Sequence, residues 1–264
     1  MNDEAFDEAV TCLCGQISTV FKEERRLVRA FGDLGAFTTV VYALGLCSIQ
    51  GGQFTLAAVQ GVIVPMGWAS SRRTRALIDW LELENTAQRH PPFLDNRERP
   101  WSLNGWLVLT VETLAAIYLA AASPWAERQQ ANTPEQTAAG IRGLIDGVCW
   151  LLVNSQELPQ MSDEMRMFLW HAPGFPLLLE LLSAAVTSAP CDAGCEFSRK
   201  AAARAYGISR AQVTGLLAKA ERLNYLTRIG SRVRLSDLML RNARRDLAHQ
   251  LAFVVLWSEG VDIK

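Results

Sequence analysis

The side chains that could carry chemistry are scattered, except where arginine is concerned. His90, His171 and His249 stand in unrelated contexts. The six cysteines fall as C-x-C (Cys12, Cys14), singly (Cys47, Cys149) and as C-x3-C in "CDAGC" (Cys191, Cys195), and none of these matches a common zinc spacing. No P-loop, GxGxxG, HExxH or GxSxG is present. The chain therefore reads as a non-enzyme with no cofactor and no metal. What remains is cationic and hydrogen-bonding. Ser209, Arg210, Gln212 and Thr214 open "SRAQVTGLLAKAERLN", and Ser70, Ser71, Arg72, Arg73 and Arg75 open "SSRRTRALIDWLELEN". Arg228, Arg232 and Arg234 follow in "TRIGSRVRL". Arginine forks onto guanine or phosphate, and glutamine pairs with adenine. These residue types at a helix start are those that contact duplex DNA.

The elements that must position them are legible in the later segment. Ser198 caps a short helix over "RKAAARAY", and Gly207 ends it, where positive φ is tolerated. Ser209 caps the next helix, with Gln212 three residues on completing a capping box. Val213, Leu216, Leu217, Ala220 and Leu223 recur at helical spacing and are expected to form its core face. Asn224 stops it in the left-handed region. "YLTRIGSRVRL" then reads as strand, tight Gly-Ser turn and strand. Short helix, turn, helix and basic ribbon make a helix-turn-helix with a wing.

The chain is written twice. Ser70, Glu82, Asn85 and Arg89 recur 139 positions later as Ser209, Glu221, Asn224 and Arg228. Leu103 and Trp125 recur 132 positions later as Leu235 and Trp257. The difference falls in "HPPFLDNRERP", which gives the first copy a longer ribbon. Each copy starts with a long helix (4–30 and 134–158) and an apolar helix ("GAFTTVVYALGL", "GFPLLLELLSAAV"). The long helices are expected to pack the copies together or to dimerise. "SPWAERQQANTPE" separates the copies as a linker, with Thr133 and Pro134 starting the next helix. In the first copy Leu77, Ile78 and Leu81 form the core side, with Trp80 beside them, and Gly67 sits one residue early against the repeat. The expected fold is mainly α: tandem winged helix-turn-helix domains, each with a small β-ribbon wing, plus long packing helices. The expected domains are 1–125 and 126–264.

The ribbon of the first copy, "DNRERPWSLNG" (95–105), resembles the wing signature of MarR-type winged-helix regulators. Asp95 and Arg97 fall on its Asp-x-Arg positions and Leu103 on the end of its second strand. Asn104 stands where the family has a capping threonine. "LELEN" and "AERLN" resemble the family's LExxG helix end, with asparagine for glycine. The resemblance covers roughly 50–105 and 196–237, and the second copy lacks the Asp-x-Arg wing. It implies a DNA-binding transcriptional regulator, with Arg97 approaching the minor groove and Asp95 holding the wing. Double-stranded DNA is the implied partner. A homodimer and a small-molecule effector are compatible with it.

Composition bounds these readings. The 264 residues carry a formal net charge of −1, so attraction to a polyanion must come from local patches. The alternative is therefore a winged-helix interaction module without direct DNA binding. A further alternative is a ligand- or redox-responsive regulator, using a tryptophan-lined pocket or Cys191 and Cys195. "GWLVLTVETLAAIYLAAA" (105–122) approaches transmembrane length. Glu112 in its middle argues for a buried or interface helix, and no membrane partner is expected. The acidic N-terminus lacks a secretory pattern, and free thiols suit a reducing compartment, so a cytoplasmic location is expected.

Overall fold

A computed structural model describes residues 3–91, 99–125, 134–153, 161–187 and 194–258. Its architecture is mainly helical with small antiparallel sheets. The order of elements is written twice. The first series is α1 (Asp3–Glu23), α2 (Arg26–Phe31), α3 (Leu34–Ile49), α4 (Leu56–Ile63), α5 (Ser71–Leu83), β1 (Ala87–Arg89), β2 (Trp101–Leu103) and α6 (Trp106–Ala122). The second is α7 (Pro134–Val153), α8 (Asp163–Leu169), α9 (Gly174–Thr187), β3 (Cys195–Glu196), α10 (Arg199–Ala205), α11 (Arg210–Arg222), β4 (Leu226–Ile229), β5 (Arg232–Leu235) and α12 (Asp237–Ser258). The expected long helix at 4–30 is broken, because a separate short helix, α2, follows α1. Pro134 is the first residue of α7, and Thr133 lies outside the described residues.

By internal contacts the chain divides into two units that interleave the two series rather than follow the 1–125 and 126–264 segments. One comprises Met1–Asp33, Ala120–Gln129 and Pro159–Leu256; the other comprises Leu34–Leu119, Gln130–Leu158 and Trp257–Lys264. Within the first unit α1 packs on α9, and within the second α7 packs on α3. Each leading helix thus serves the apolar helix of the other series.

In the first unit, Phe6, Val10, Leu13, Cys14, Ile17 and Phe21 recur at 3–4 spacing along α1 and are all buried, the pattern of a helix with one core stripe. Phe21 meets Phe175 of α9 edge-on at 5.9 Å. Buried polar groups on this seam are paired, as burial requires. Tyr206 Oη donates to Glu180 Oε2 at 2.6 Å, with Ser18 Oγ 2.9 Å away. Burial beside Glu180 pushes the Tyr206 phenol up, so it stays a neutral donor. Asp246 of α12 accepts from the Ser162 N–H and Oγ at 3.0 and 2.6 Å and so anchors the start of α8.

The ribbons carry a third partner that the sequence pattern does not announce. β3 pairs with β5 (Cys195↔Val233), giving the order β3-β5-β4. In the first series a single bridge, Phe54↔Trp101, occupies the same place beside β2. The registers agree: Ala87↔Leu103 corresponds to Leu226↔Leu235, and Arg89↔Trp101 to Arg228↔Val233.

Candidate nucleic-acid interface

The short helix that opens each copy's site is capped, by Ser198 as the sequence reading expects and by Thr55, a cap not read from sequence. Thr55 accepts from the Ala58 N–H, and Ser198 from the Ala201 N–H. Each helix turns off through a left-handed glycine, Gly67 at φ 70° and Gly207 at φ 65°. In each the N–H after the glycine returns to a carbonyl five residues back, Trp68 to Ile63 and Ile208 to Ala203, closing a Schellman-type end. Gly207 has a further reason to be glycine, since a Cβ there would stand 3.1 Å from the Arg25 Cδ. The first copy spends one more residue, Ala69, before its capping serine, which accounts for the early Gly67.

The second helices match in length. Ser70 accepts from the Arg73 N–H, and Ser209 from the Gln212 N–H. In the second copy the Gln212 Oε1 also accepts from the Ser209 N–H at 2.9 Å, completing the box. Asn85 and Asn224 end the helices at φ 57° and 58°. Leu77, Ile78, Trp80 and Leu81 are buried in one copy, and Val213, Leu216, Leu217 and Ala220 in the other. Leu223, expected on that core face, is instead 43% exposed; it is the C-cap, where the chain leaves the helical path.

The side chains singled out from sequence divide into three groups. Ser71, Arg72, Arg73 and Arg75 stand exposed on the first turns of α5, and Arg210 on the first turn of α11. Thr214 is half-buried on the next turn of α11, and Arg234 is exposed on β5. A second group is committed to holding the fold: Ser70, Ser209 and the Gln212 Oε1 are caps. Arg228 and Arg232 of the β4–β5 ribbon make up the third. Arg228 donates from its backbone N–H (3.1 Å) and Nε (2.7 Å) to Glu221, and its Nη2 also bonds that carboxylate. Arg232 donates to Glu196 at 3.0 Å. The arginines hold the Glu221 and Glu196 carboxyls below the ordinary glutamate range. Two of the three ribbon arginines therefore have their charge partly answered, Arg228 by Glu221 of α11 and Arg232 by Glu196 of β3. Asp95 and Arg97 lie outside the described residues.

The first copy repeats this tie. Arg89 reaches Glu82 at 3.1 Å and Asp79 at 3.5 Å, and its guanidinium lies 4.3 Å from the Trp101 ring centre. Glu82, Asn85 and Arg89 match Glu221, Asn224 and Arg228 because they do the same structural work. A glutamate in the last turn of the helix clamps the first strand after a left-handed asparagine. A second contact on α11 was not read from sequence. The Lys219 ammonium donates to His171 Nε2 at 2.9 Å, and His171 Nδ1 donates to the Met167 carbonyl at 2.7 Å. His90 Nε2 lies 2.8 Å from Ser102 Oγ across the first ribbon.

Comparison with protein-family models, with curated proteins and with solved structures finds no match.

Other candidate chemistry is limited. Among the described residues no three of His, Cys, Asp and Glu gather as a metal site. Cys195 is buried, its thiol is pushed up by burial, and it donates to the Val233 carbonyl. Burial likewise pushes Cys14 up to about 12. Cys191 lies outside the described residues. By length and composition one described helix, Trp106–Trp125, could cross a membrane, with 28% of that window buried and Leu109 64% exposed.

Proposed function

We propose that this chain is a sequence-specific double-stranded DNA-binding transcriptional regulator, built from two tandem winged helix-turn-helix repeats of the MarR type, without enzymatic activity. The observation that carries the reading is the doubled constellation. Each copy has a capped short helix, a left-handed glycine turn, a second helix running from a capping serine to a left-handed asparagine, and an antiparallel ribbon. Each second helix presents arginine at its exposed start. That arrangement offers a helix N-terminus to a major groove and a ribbon to the neighbouring backbone. Ser71, Arg72, Arg73 and Arg75 would serve one half-site. Arg210, Thr214 and the Gln212 amide would serve the other, with Arg234 on the wing.

A specific observation favours a second reading, an interaction module that has given up DNA. Arg89, Arg228 and Arg232 are each answered by a carboxylate, which lowers the charge a phosphate would meet. A salt titration of duplex binding separates the two. The DNA reading expects the logarithm of affinity to fall linearly with the logarithm of salt concentration, with a slope set by the phosphates neutralised. No duplex binding at low salt would favour the module.

A further inference from the structure

We infer that the two copies engage duplex DNA unequally: α11 lies along the major groove and discriminates bases, whereas α5 touches DNA only with its arginine-bearing first turns. The target is then an asymmetric duplex rather than an inverted repeat. The inference rests on the DNA-binding reading and adds a division of labour to it.

The argument comes from matched positions on two helices of the same length and the same caps. The line farthest from the core follows i, i+4, i+7, i+11 spacing, within about 60° of arc at ~100° per residue. On α5 that line is Arg72, Ala76, Asp79 and Leu83; on α11 it is Ala211, Gly215, Ala218 and Arg222. Past the first turns the two lines diverge in charge and bulk. α5 presents Asp79, itself tied to Arg89, and then Leu83, which is 80% exposed. Glu82, held by Arg89 as Glu221 is by Arg228, and the C-cap Glu84 flank them, so the end of α5 sets three carboxylates against one arginine. Laid in a groove, this end would set carboxylates against phosphates and spend an apolar side chain on polar base edges. At the matched positions α11 carries Ala218 and the exposed Arg222. Its only acid there, Glu221, is held by Arg228.

The starts of the helices divide the work in the same sense. Arg73 and Arg75 fan to either side of the α5 line from Arg72, in the directions of the two groove walls, where guanidinium groups clamp phosphate without reading sequence. Arg210 and the Gln212 amide on α11 flank Ala211 and Gly215, so the α11 backbone can come close enough for them to reach base edges. Gly215 meets nothing within 4 Å where a Cβ would stand. Packing therefore does not demand glycine there, although glycine weakens a helix interior.

The test uses the whole chain and duplexes enriched by it from a random pool, with a scrambled duplex as control. The matched pairs are Gly215→Leu against Ala76→Leu, and Arg222→Glu against Leu83→Glu. All four sites are exposed, and a thermal melt checks that each variant folds. The α11 variants are expected to lose about tenfold or more in affinity for the enriched duplex, with a smaller loss on the scrambled one. The α5 variants should change either by less than about twofold. The enriched duplexes should share one defined block. An inverted-repeat consensus, or equal losses within the matched pairs, would overturn this inference and leave DNA binding standing. A wild-type chain that binds no duplex at low salt would overturn the DNA reading and this inference together.

Discussion

The second helix of the first copy and that of the second copy run the same distance between the same kinds of cap, yet almost everything facing outward differs. What they share is structural: a serine that answers an N–H, an asparagine near φ 57–58°, and a glutamate clamping an arginine on the first strand. What they do not share is the first-turn charge, three arginines in the first five residues of α5 against one in α11, and the charge of the last turns. Repeated residues in a doubled chain thus mark how the unit is built. Residues that diverge between the copies are where the proposed difference in DNA contact would lie.

The core beneath these helices gives the comparison its largest expected effect. Thr74 and Val213 occupy the same place and both are fully buried, but the Thr74 hydroxyl has no hydrogen-bond partner. Thr74→Val should therefore stabilise its unit by about 1–3 kcal/mol and Val213→Thr should destabilise its own by a similar amount, because a buried hydroxyl without a partner carries its desolvation cost. Calorimetry on the two variants reads this directly; equal and opposite changes in melting temperature would support the match of the two sites. Next come the helix ends. Asn85→Ala and Asn224→Ala should each cost about 1 kcal/mol, since alanine resists the left-handed region, while glycine at either position should be near neutral. A differing response at the two asparagines would break the structural equivalence.

Smaller effects separate the copies. Ser209→Ala should cost about 1 kcal/mol, and Ser70→Ala less, because only Ser209 sits in a reciprocal box with a glutamine. The wing ties are tested by their charge. Glu221 has its folded-state value lowered by Arg228. The pair's contribution is therefore intact above the ordinary glutamate range of about 4.3 and is lost as pH falls through the lowered value. At neutral pH only substitution releases the arginine. Glu221→Gln is expected to leave the fold in place and steepen the salt slope of duplex binding by about 0.9, one added phosphate contact. An unchanged slope would mean that Arg228 serves the ribbon alone.

Much of this was legible from the chain. The caps, the left-handed asparagines and the buried faces followed from residue type and period, because each is set by local geometry. The third strand was not, since the Phe54 bridge and the two-residue β3 are too short to show alternation. Nor could periodicity reveal that α1 packs on α9 and α7 on α3: a hydrophobic stripe declares that it is buried, not against what. The commitment of Arg228 to Glu221 crosses a turn at a spacing of seven, outside the usual helical pairs. The signal was nonetheless present, because both partners recur together in the other copy. Arg232 gave no such sign, as Glu196 reaches it only through the pairing of β3 with β5.

The DNA reading stands most directly on Arg210, which is exposed on the first turn of α11 and takes no part in its cap. The decisive measurement is the affinity of wild-type chain and Arg210→Ala for a duplex enriched by the wild type, at one fixed salt concentration. A loss of about 1–3 kcal/mol in specific binding, with a smaller loss on scrambled sequence, is the predicted result. An unchanged affinity would contradict α11 as the helix that reads the duplex.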